Sequence, residues 1–536
     1  MTESWDPLHN HSAPELHWST DNLGEAAPGV LTPLGWSLWG SVGERASREA
    51  LYRLGALDGS ERIAPDDPEQ RILRIFYGRV AMQVEFLATL GDRMPGTTGR
   101  DVVRGIFGLV PDDIDFRPST RRYPAVAVRF PAAFLRVPHR VRVLAEQTDA
   151  WWRRSTVAAA TAKPAAATAL LQDAADRFYA TLALHTTCLM GVVQPMFDAL
   201  SSLTERAGVG DVAVLSGSGG AEMAVVGDIW RAARGEISLA QAIANHGFHG
   251  PGEGEVSSRV WREDDTPVRR LLTEYAARPE SESPRAQEKR RRAEAQEMRR
   301  EVLAALPLTH RAPAAGLLRL SAARIPLRGV GKRSFLQALD VARAASRRIG
   351  GQLVAEGQLA GADDVFCLTF DELTGVLPAG ARSLAARRRE RRDQYRSLRI
   401  PAHWTGQPVP VRETAPGASA EEPSLVTGIG VSAGVVEGVV RVVTEPDFAE
   451  VESHEVLVAP TTDPSWSSIM FVSSALVVDI GSALSHAAVV ARELGLPCVV
   501  NTREGTRLLR TGDRVRVDGA AGTVEILERS PIPIPT

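Results

Sequence analysis

Apolar residues change their spacing once along this chain, near residue 425. From about residue 41 to residue 400 they recur at three and four positions amid abundant Ala, Leu, Arg and Glu, as in Glu69-Gln-Arg-Ile-Leu-Arg-Ile-Phe-Tyr-Gly-Arg-Val-Ala-Met82 and Asp173-Ala-Ala-Asp-Arg-Phe-Tyr-Ala-Thr-Leu-Ala-Leu184. That period predicts helices with one buried face, and so a large, mainly helical body over residues 1–400 whose first 40 residues form an irregular lead-in. Residues 401–424 break the pattern with Pro401, Pro408, Pro410, Pro416, Gly417 and Pro423, the composition of a hinge linker. Beyond it, short β-branched runs at 439–443, 456–458, 475–479, 498–500, 514–517 and 523–527 predict a compact α/β unit over 425–530. The fold class is therefore α plus α/β.

Within that second unit, Ala475-Leu-Val-Val-Asp479 delivers the chain to the loop Gly481-Ser-Ala-Leu-Ser485. His486 follows at the first turn of a helix that Gly495 and Pro497 end. Unpaired N–H groups and the positive end of the helix dipole suit a phosphoryl group at such a position, and neutral imidazole is a competent nucleophile. Taken alone, a histidine at this place reads first as an ordinary polar residue opening a βα unit, and only second as a phosphoryl carrier. Its surroundings favour the phosphoryl reading.

The segment Gly481-Ser-Ala-Leu-Ser-His486-Ala-Ala-Val-Val-Ala-Arg-Glu-Leu-Gly-Leu-Pro497 resembles the signature of the swivelling β/β/α phosphohistidine domain of PEP-utilising enzymes: phosphoenolpyruvate synthase, pyruvate phosphate dikinase and rifampin phosphotransferase. Gly430-Val-Ser-Ala-Gly434, Pro460-Thr-Thr-Asp-Pro-Ser-Trp466 and Thr511-Gly-Asp-Arg-Val-Arg-Val-Asp518 resemble its opening, second loop and closing hairpin. Ser482 in place of Gly and Leu484 in place of Thr sort the chain toward the rifampin-phosphotransferase branch. The remainder resembles that branch's acceptor-binding domain, through Trp18-Ser-Thr-Asp, Tyr77-Gly-Arg79, His249-Gly-Pro-Gly-Glu253, Trp261-Arg-Glu-Asp264 and Asp363-Asp-Val-Phe366.

The resemblance implies that His486 takes the β-phosphoryl group of ATP and hands it to a hydroxyl of a small organic acceptor; in one variant the new ester then eliminates phosphate, a net dehydration. Where the branch carries Arg-Glu-x-x-Lys, this chain has Arg328-Gly329-Val-Gly-Lys332: both cations are kept and the acid is missing. Arg328 and Lys332, one helical turn apart, are candidates to neutralise charge in the transfer. Ser485, Thr462 and Arg492 are candidate phosphoryl-binding groups. His249 and Glu253, on either side of a Gly-Pro-Gly turn, are substrate-site candidates to replace the missing acid. No ATP-grasp region fits before Trp18, so a separate ATP-grasp protein is the expected partner, bringing the ATP and Mg2+ that this chain is not expected to hold. A different class of function, a non-catalytic phosphocarrier or regulatory binding protein, treats Gly329 as the mark of a decayed acceptor site.

With 536 residues, 44% hydrophobic and 24% charged, the chain is long enough for two to four domains of ordinary soluble composition. A net charge of -3 leaves no basic field for nucleic acid. Cys188, Cys367 and Cys498 lack metal or redox spacing and read as buried free thiols, and no metal site is expected. The N-terminus lacks the basic-then-apolar run of an export signal, and no run of residues reads as a membrane span, so a cytoplasmic location is expected. The charged run Glu288–Arg300 reads first as a solvated helix and second as a docking surface. Gly217-Ser-Gly-Gly220 lacks the partners of a nucleotide loop and reads as a plain connection.

Overall fold

A computed structural model describes residues 5–530 except 22, 24, 25, 28, 68, 69, 108, 109, 210–214, 216–219, 413–423, 445–450, 453, 463–465 and 482–484. Helices α1 (Pro33–Leu54), α2 (Tyr123–Thr161) and α3 (Pro164–Cys188) precede a one-turn π-helix (Leu189–Val193) that runs directly into α4 (Gln194–Ala207). The helices α5 (Gly220–Ala233), α6 (Leu239–His246), α7 (Thr266–Ala277), α8 (Pro284–Ala305), α9 (Leu308–Arg324), α10 (Leu327–Ala355) and α11 (Ala381–Arg396) follow. Two compact units divide the chain: Met1–Val192 with Gly254–Ser258 and Val330–Thr414, and Val193–Glu253 with Arg259–Gly329 and Ala415–Thr536. This is not the division the composition suggests, because residues 193–253 and 259–329 group with the C-terminal sheet.

In the first unit, Thr32 caps α1 by accepting from Gly35 N, and the buried Glu255 carboxylate accepts in turn from Thr32 N at 3.0 Å and Thr32 Oγ1 at 2.7 Å. Trp39, Phe178 and Phe335 meet edge to face in the core, where Trp39 Nε1 finds the Gly254 carbonyl at 2.8 Å, so the burial of a polar indole leaves no donor unpaired. A four-stranded sheet orders as β2-β3-β1-β4, with β1 His17–Ser19, β2 Leu73–Phe76, β3 Arg79–Gln83 and β4 His403–Thr405.

Two expectations are corrected here. Within the stretch 69–82 expected to be helical, residues 73–82 form a β-hairpin: Phe76 pairs with Arg79 across a two-residue turn in which Tyr77 and Gly78 take φ of 48° and 76°. Both central residues with positive φ give a turn that matches strand twist, and its Tyr-Gly pair interrupts any helix. Second, the linker begins later than residue 401, because β4 is paired with β1 in this unit's sheet; residues 413–423 lie outside the described residues.

The segment Pro164–Ala207, α3 through α4, is the one helix among the described residues that is long and apolar enough to cross a membrane, against the expectation of none. Of its most apolar stretch, 56% is buried inside the protein, and Ala167, Leu171, Phe178 and Leu184 of the same segment are buried.

The second unit contains an eight-stranded sheet ordered β5-β12-β11-β7-β8-β9-β10-β6. Its strands are β5 Leu425–Thr427, β6 Ile429–Ser432, β7 Val435–Val442, β8 Val456–Ala459, β9 Ala475–Val478, β10 Cys498–Val500, β11 Arg514–Asp518 and β12 Thr523–Glu528. The central four, β7 to β10, are parallel and the outer strands antiparallel. Val456, Val458, Ala475, Val477 and Val499 face one apolar core, while Leu457, Ala459, Leu476, Val478, Cys498 and Val500 face the other. A strand buried on both sides needs an unbroken apolar run, which is why these segments read as short Val-rich blocks without polar alternation.

Candidate functional site

Parallel strand β9 is followed by Asp479, whose buried carboxylate accepts from Thr502 Oγ1 at 2.8 Å and Thr506 Oγ1 at 2.5 Å, pinning the neighbouring 501–506 connection beside the strand end. Gly481 lies in tight packing: a Cβ there would stand 3.0 Å from Val500 Cβ and 3.1 Å from Ser485 Oγ, so a larger residue would press on both. Ser485 caps the next helix, α13 (His486–Leu494), with Oγ accepting from Ala488 N at 3.3 Å. Gly495 closes it at φ 67°, and Leu496 N returns to the Ala491 carbonyl at 2.8 Å. His486 is thus the first helical residue, as the sequence pattern predicts. The departures Ser482 and Leu484 lie outside the described residues.

The imidazole is 1% exposed. Thr462 Oγ1 lies 3.1 Å from its Nδ1, and Ser467 Oγ lies 3.2 Å from its Nε2. Thr462 follows strand β8, and Ser467 opens the short helix α12 (Ser467–Met470); both side chains are buried. Thr462 is a sequence candidate brought to the histidine. Ser467 escaped the sequence reading, although its place right after Trp466 in the quoted loop was a usable signal.

Helices α5, α7 and α8 of the same unit pack over this region. The Phe471 ring, 3% exposed, meets Tyr275 of α7 at 4.8 Å and Trp230 of α5 at 5.9 Å. Arg278 donates to the Val472 carbonyl at 3.2 Å and lies over Phe471 at 5.0 Å. Arg291, on the charged helix α8, forms an ion pair with the buried Glu493 of α13. The charged run is therefore a helix with one engaged face as well as a solvated one.

The remaining candidates are placed as follows. Arg492 sits in the last turn of α13 and gives its Nε to the Val431 carbonyl at 2.6 Å, so that donor holds strand β6 and not a phosphate. His249 and Glu253 face each other, Nδ1 to Oε2 at 2.7 Å, and are 5% and 2% exposed. Phe248 and Trp261 rings lie 4.1 Å and 5.8 Å from the His249 ring, and Trp261 N bonds the His249 carbonyl at 2.7 Å. The turn is buried, with His249 Nδ1 and Glu253 Oε2 bonded to each other. Arg328 lies in the first turn of α10, and Lys332, 7% exposed, one turn further along the same helix. Between them Gly331 is required by packing, since a Cβ would meet His185 Nδ1 at 2.5 Å. Cys188, Cys367 and Cys498 are buried thiols outside any disulfide, and burial pushes the Cys367 thiol up to about 11 and that of Cys498 higher still.

A parallel-centred sheet delivering a histidine to a helix N-terminus is the layout of a PEP-utiliser mobile domain, and residues 451–522 match the family model described as "PEP-utilising enzyme, mobile domain". Residues 153–329 match the model described as "Rifampicin phosphotransferase fourth domain", and the chain resembles the rifampin-phosphotransferase branch of the PEP-utilising enzymes in both parts. An uncharacterized protein of Mycobacterium tuberculosis is 36% identical over 209 residues, 39% of this chain and 24% of that protein. Proteins named rifampicin phosphotransferase from a Streptomyces species and from Bacillus subtilis are 37% and 33% identical over 204 and 182 residues. Those matches span 38% and 33% of this chain and 23% and 20% of the relatives, so the likeness covers about a quarter or less of their length.

Proposed function

We propose that this chain is a phosphotransferase component in which His486 carries a phosphoryl group to the hydroxyl of a small organic acceptor. The observation that carries the reading is a hydroxyl-bonded imidazole at the capped N-terminus of α13, inside a matched mobile domain. A neutral ring nitrogen attacks phosphorus, and the first-turn N–H groups of α13 then face the added negative charge. With the ring 1% exposed, attack requires that the face covered by α5, α7 and α8 open first, the movement of a swivelling domain.

By the resemblance, the donor is ATP held with Mg2+ on a separate ATP-grasp protein, and Arg328 and Lys332 serve the acceptor step. With the position between them occupied by Gly329, the acceptor proton needs another base. For His249 Nδ1 or Glu253 Oε2 to act as one, their mutual bond has to open, because the two atoms already lie 2.7 Å apart. Elimination of the new phosphate is a variant of the same chemistry.

The test is incubation with [β-32P]ATP, Mg2+ and the ATP-grasp partner: an acid-labile, base-stable label is expected and is absent from His486→Ala. Label that persists in that variant, or no label with any donor, overturns the proposal. Gly329 itself favours a second reading, a carrier without acceptor chemistry. Arg328→Ala and Lys332→Ala separate the two: a transferase keeps its label and loses product, whereas a carrier keeps both its label and its output.

A further inference from the structure

We infer that the first unit holds a binding site for a small amphipathic anion, an apolar body carrying one carboxylate or sulfonate, in the cleft between helices α2 and α3 beside the end of α1. The cleft has a volume of about 390 Å3, within the range of small-molecule sites. Its floor is apolar: Ala183 and Leu184 of α3 are buried, and Leu144 of α2 lines it with them. Around that floor stand Arg53 of α1, His139, Arg140 and Gln147 of α2, and Tyr179 of α3. Positions 140, 144 and 147 recur at four and three residues, so one stripe of α2 carries both the cation and the apolar surface to the same place.

The polar groups of this cleft are uncommitted. Among the described residues, the His139 ring, the Arg140 guanidinium, the Gln147 amide and the Tyr179 hydroxyl make no hydrogen bond with the protein, and Arg140 has no carboxylate partner. Arg53 gives its Nε to Glu49 Oε1 at 2.7 Å, but the other oxygen of that carboxylate is taken by Arg62, so one negative charge offsets two guanidinium groups. Arg45 lies over the Tyr179 ring at 4.5 Å and adds a further cation beside it.

Exposed cations elsewhere on a protein are solvated and need no ligand. What sets these apart is that they border a concave apolar floor, so a ligand with both characters replaces water on two kinds of surface at once. The planar guanidinium of Arg140 offers paired N–H groups to two oxygens of one anion. A neutral apolar molecule leaves Arg53 and Arg140 unused, and a small hydrophilic anion leaves Leu144 and Leu184 wet. The amphiphile uses both. All of these residues belong to the first unit, and the site needs neither His486 nor a phosphoryl donor, so it stands apart from the carrier reading above.

The test uses the full-length protein without ATP. Anilinonaphthalene sulfonate, an apolar ring system with one anionic group, is titrated by fluorescence and then displaced by octanoate and, separately, by octanol, which has the same chain without the charge. One saturable site is expected, with octanoate displacing at a concentration about ten-fold below that of octanol. Arg140→Gln should weaken the site about ten-fold, the size of one charge-assisted hydrogen bond. Ala180→Trp, which sets an indole in the cleft from an exposed position, should abolish it. No saturable site, equal displacement by octanol, or wild-type affinity in either folded variant overturns the inference. Should one variant not fold, the other decides on the same terms.

Discussion

Glu493→Gln probes the contact that holds helix α13 against α8. Glu493 is 4% exposed and its partner Arg291 has a side chain about one-fifth exposed, so the pair is largely withdrawn from water. Contact charges at an effective dielectric of about 20 attract by roughly 4 kcal/mol, and desolvation of both offsets much of that. Removing one partner of a buried pair costs about 3–5 kcal/mol. Partial exposure of Arg291, together with the amide oxygen that Gln keeps as an acceptor, brings the expected loss to about 2 kcal/mol. That is about thirty-fold in the open fraction of this face. Two assays read it: hydrogen exchange of peptides spanning 466–500, and the rate at which diethyl pyrocarbonate modifies His486. Both should accelerate with little change in the thermal midpoint. Arg291→Met should do the same, and the double variant should be little worse than either, since one interaction has been removed twice. An unchanged His486 rate, or a fall in global stability without local opening, would refute the account of this contact as a latch on the histidine helix.

Gly495→Ala should destabilise the mobile domain by about 1 kcal/mol, because φ of 67° costs an L-residue that much; a denaturant titration measures it. Asp228 is held down at about 2, chiefly by its hydrogen bond from His246. A depressed carboxyl stabilises above its unfolded value of about 3.9 and loses that contribution as pH falls through about 2. The stability gap between wild type and Asp228→Asn should therefore be full at pH 6 and close between pH 4 and 2, as followed by urea unfolding. Cys498 should resist alkylation by iodoacetamide at pH 8 in the native protein and react once it is unfolded, since its thiolate is disfavoured and inaccessible.

Much of this molecule was legible in the linear chain, for reasons that are local. The Val-rich blocks around Val458, Val477 and Val499 can only be strands buried on both sides, and Ser485, Gly495 and Pro497 bracket a helix whichever surroundings it meets. The position of His486 follows from those signals. Residues 69–82 show where local spacing misleads: the three- and four-residue recurrence fits helix and hairpin alike, and the positive φ at Tyr77 and Gly78 decides for the hairpin.

Tertiary structure alone decided what surrounds the imidazole. Ser467 lies 19 positions before His486 and Thr462 lies 24 before it, and only the closing of parallel strands β8 and β9 side by side brings both hydroxyls to one ring. The same holds for Arg291 and Glu493, and for Arg492, whose charge suggested phosphate but whose Nε is taken by the Val431 carbonyl. Sequence spacing encodes backbone period and caps, because those depend on neighbours a few residues away. Which polar group satisfies which is settled by long-range burial, where every donor withdrawn from water must find a partner at hand.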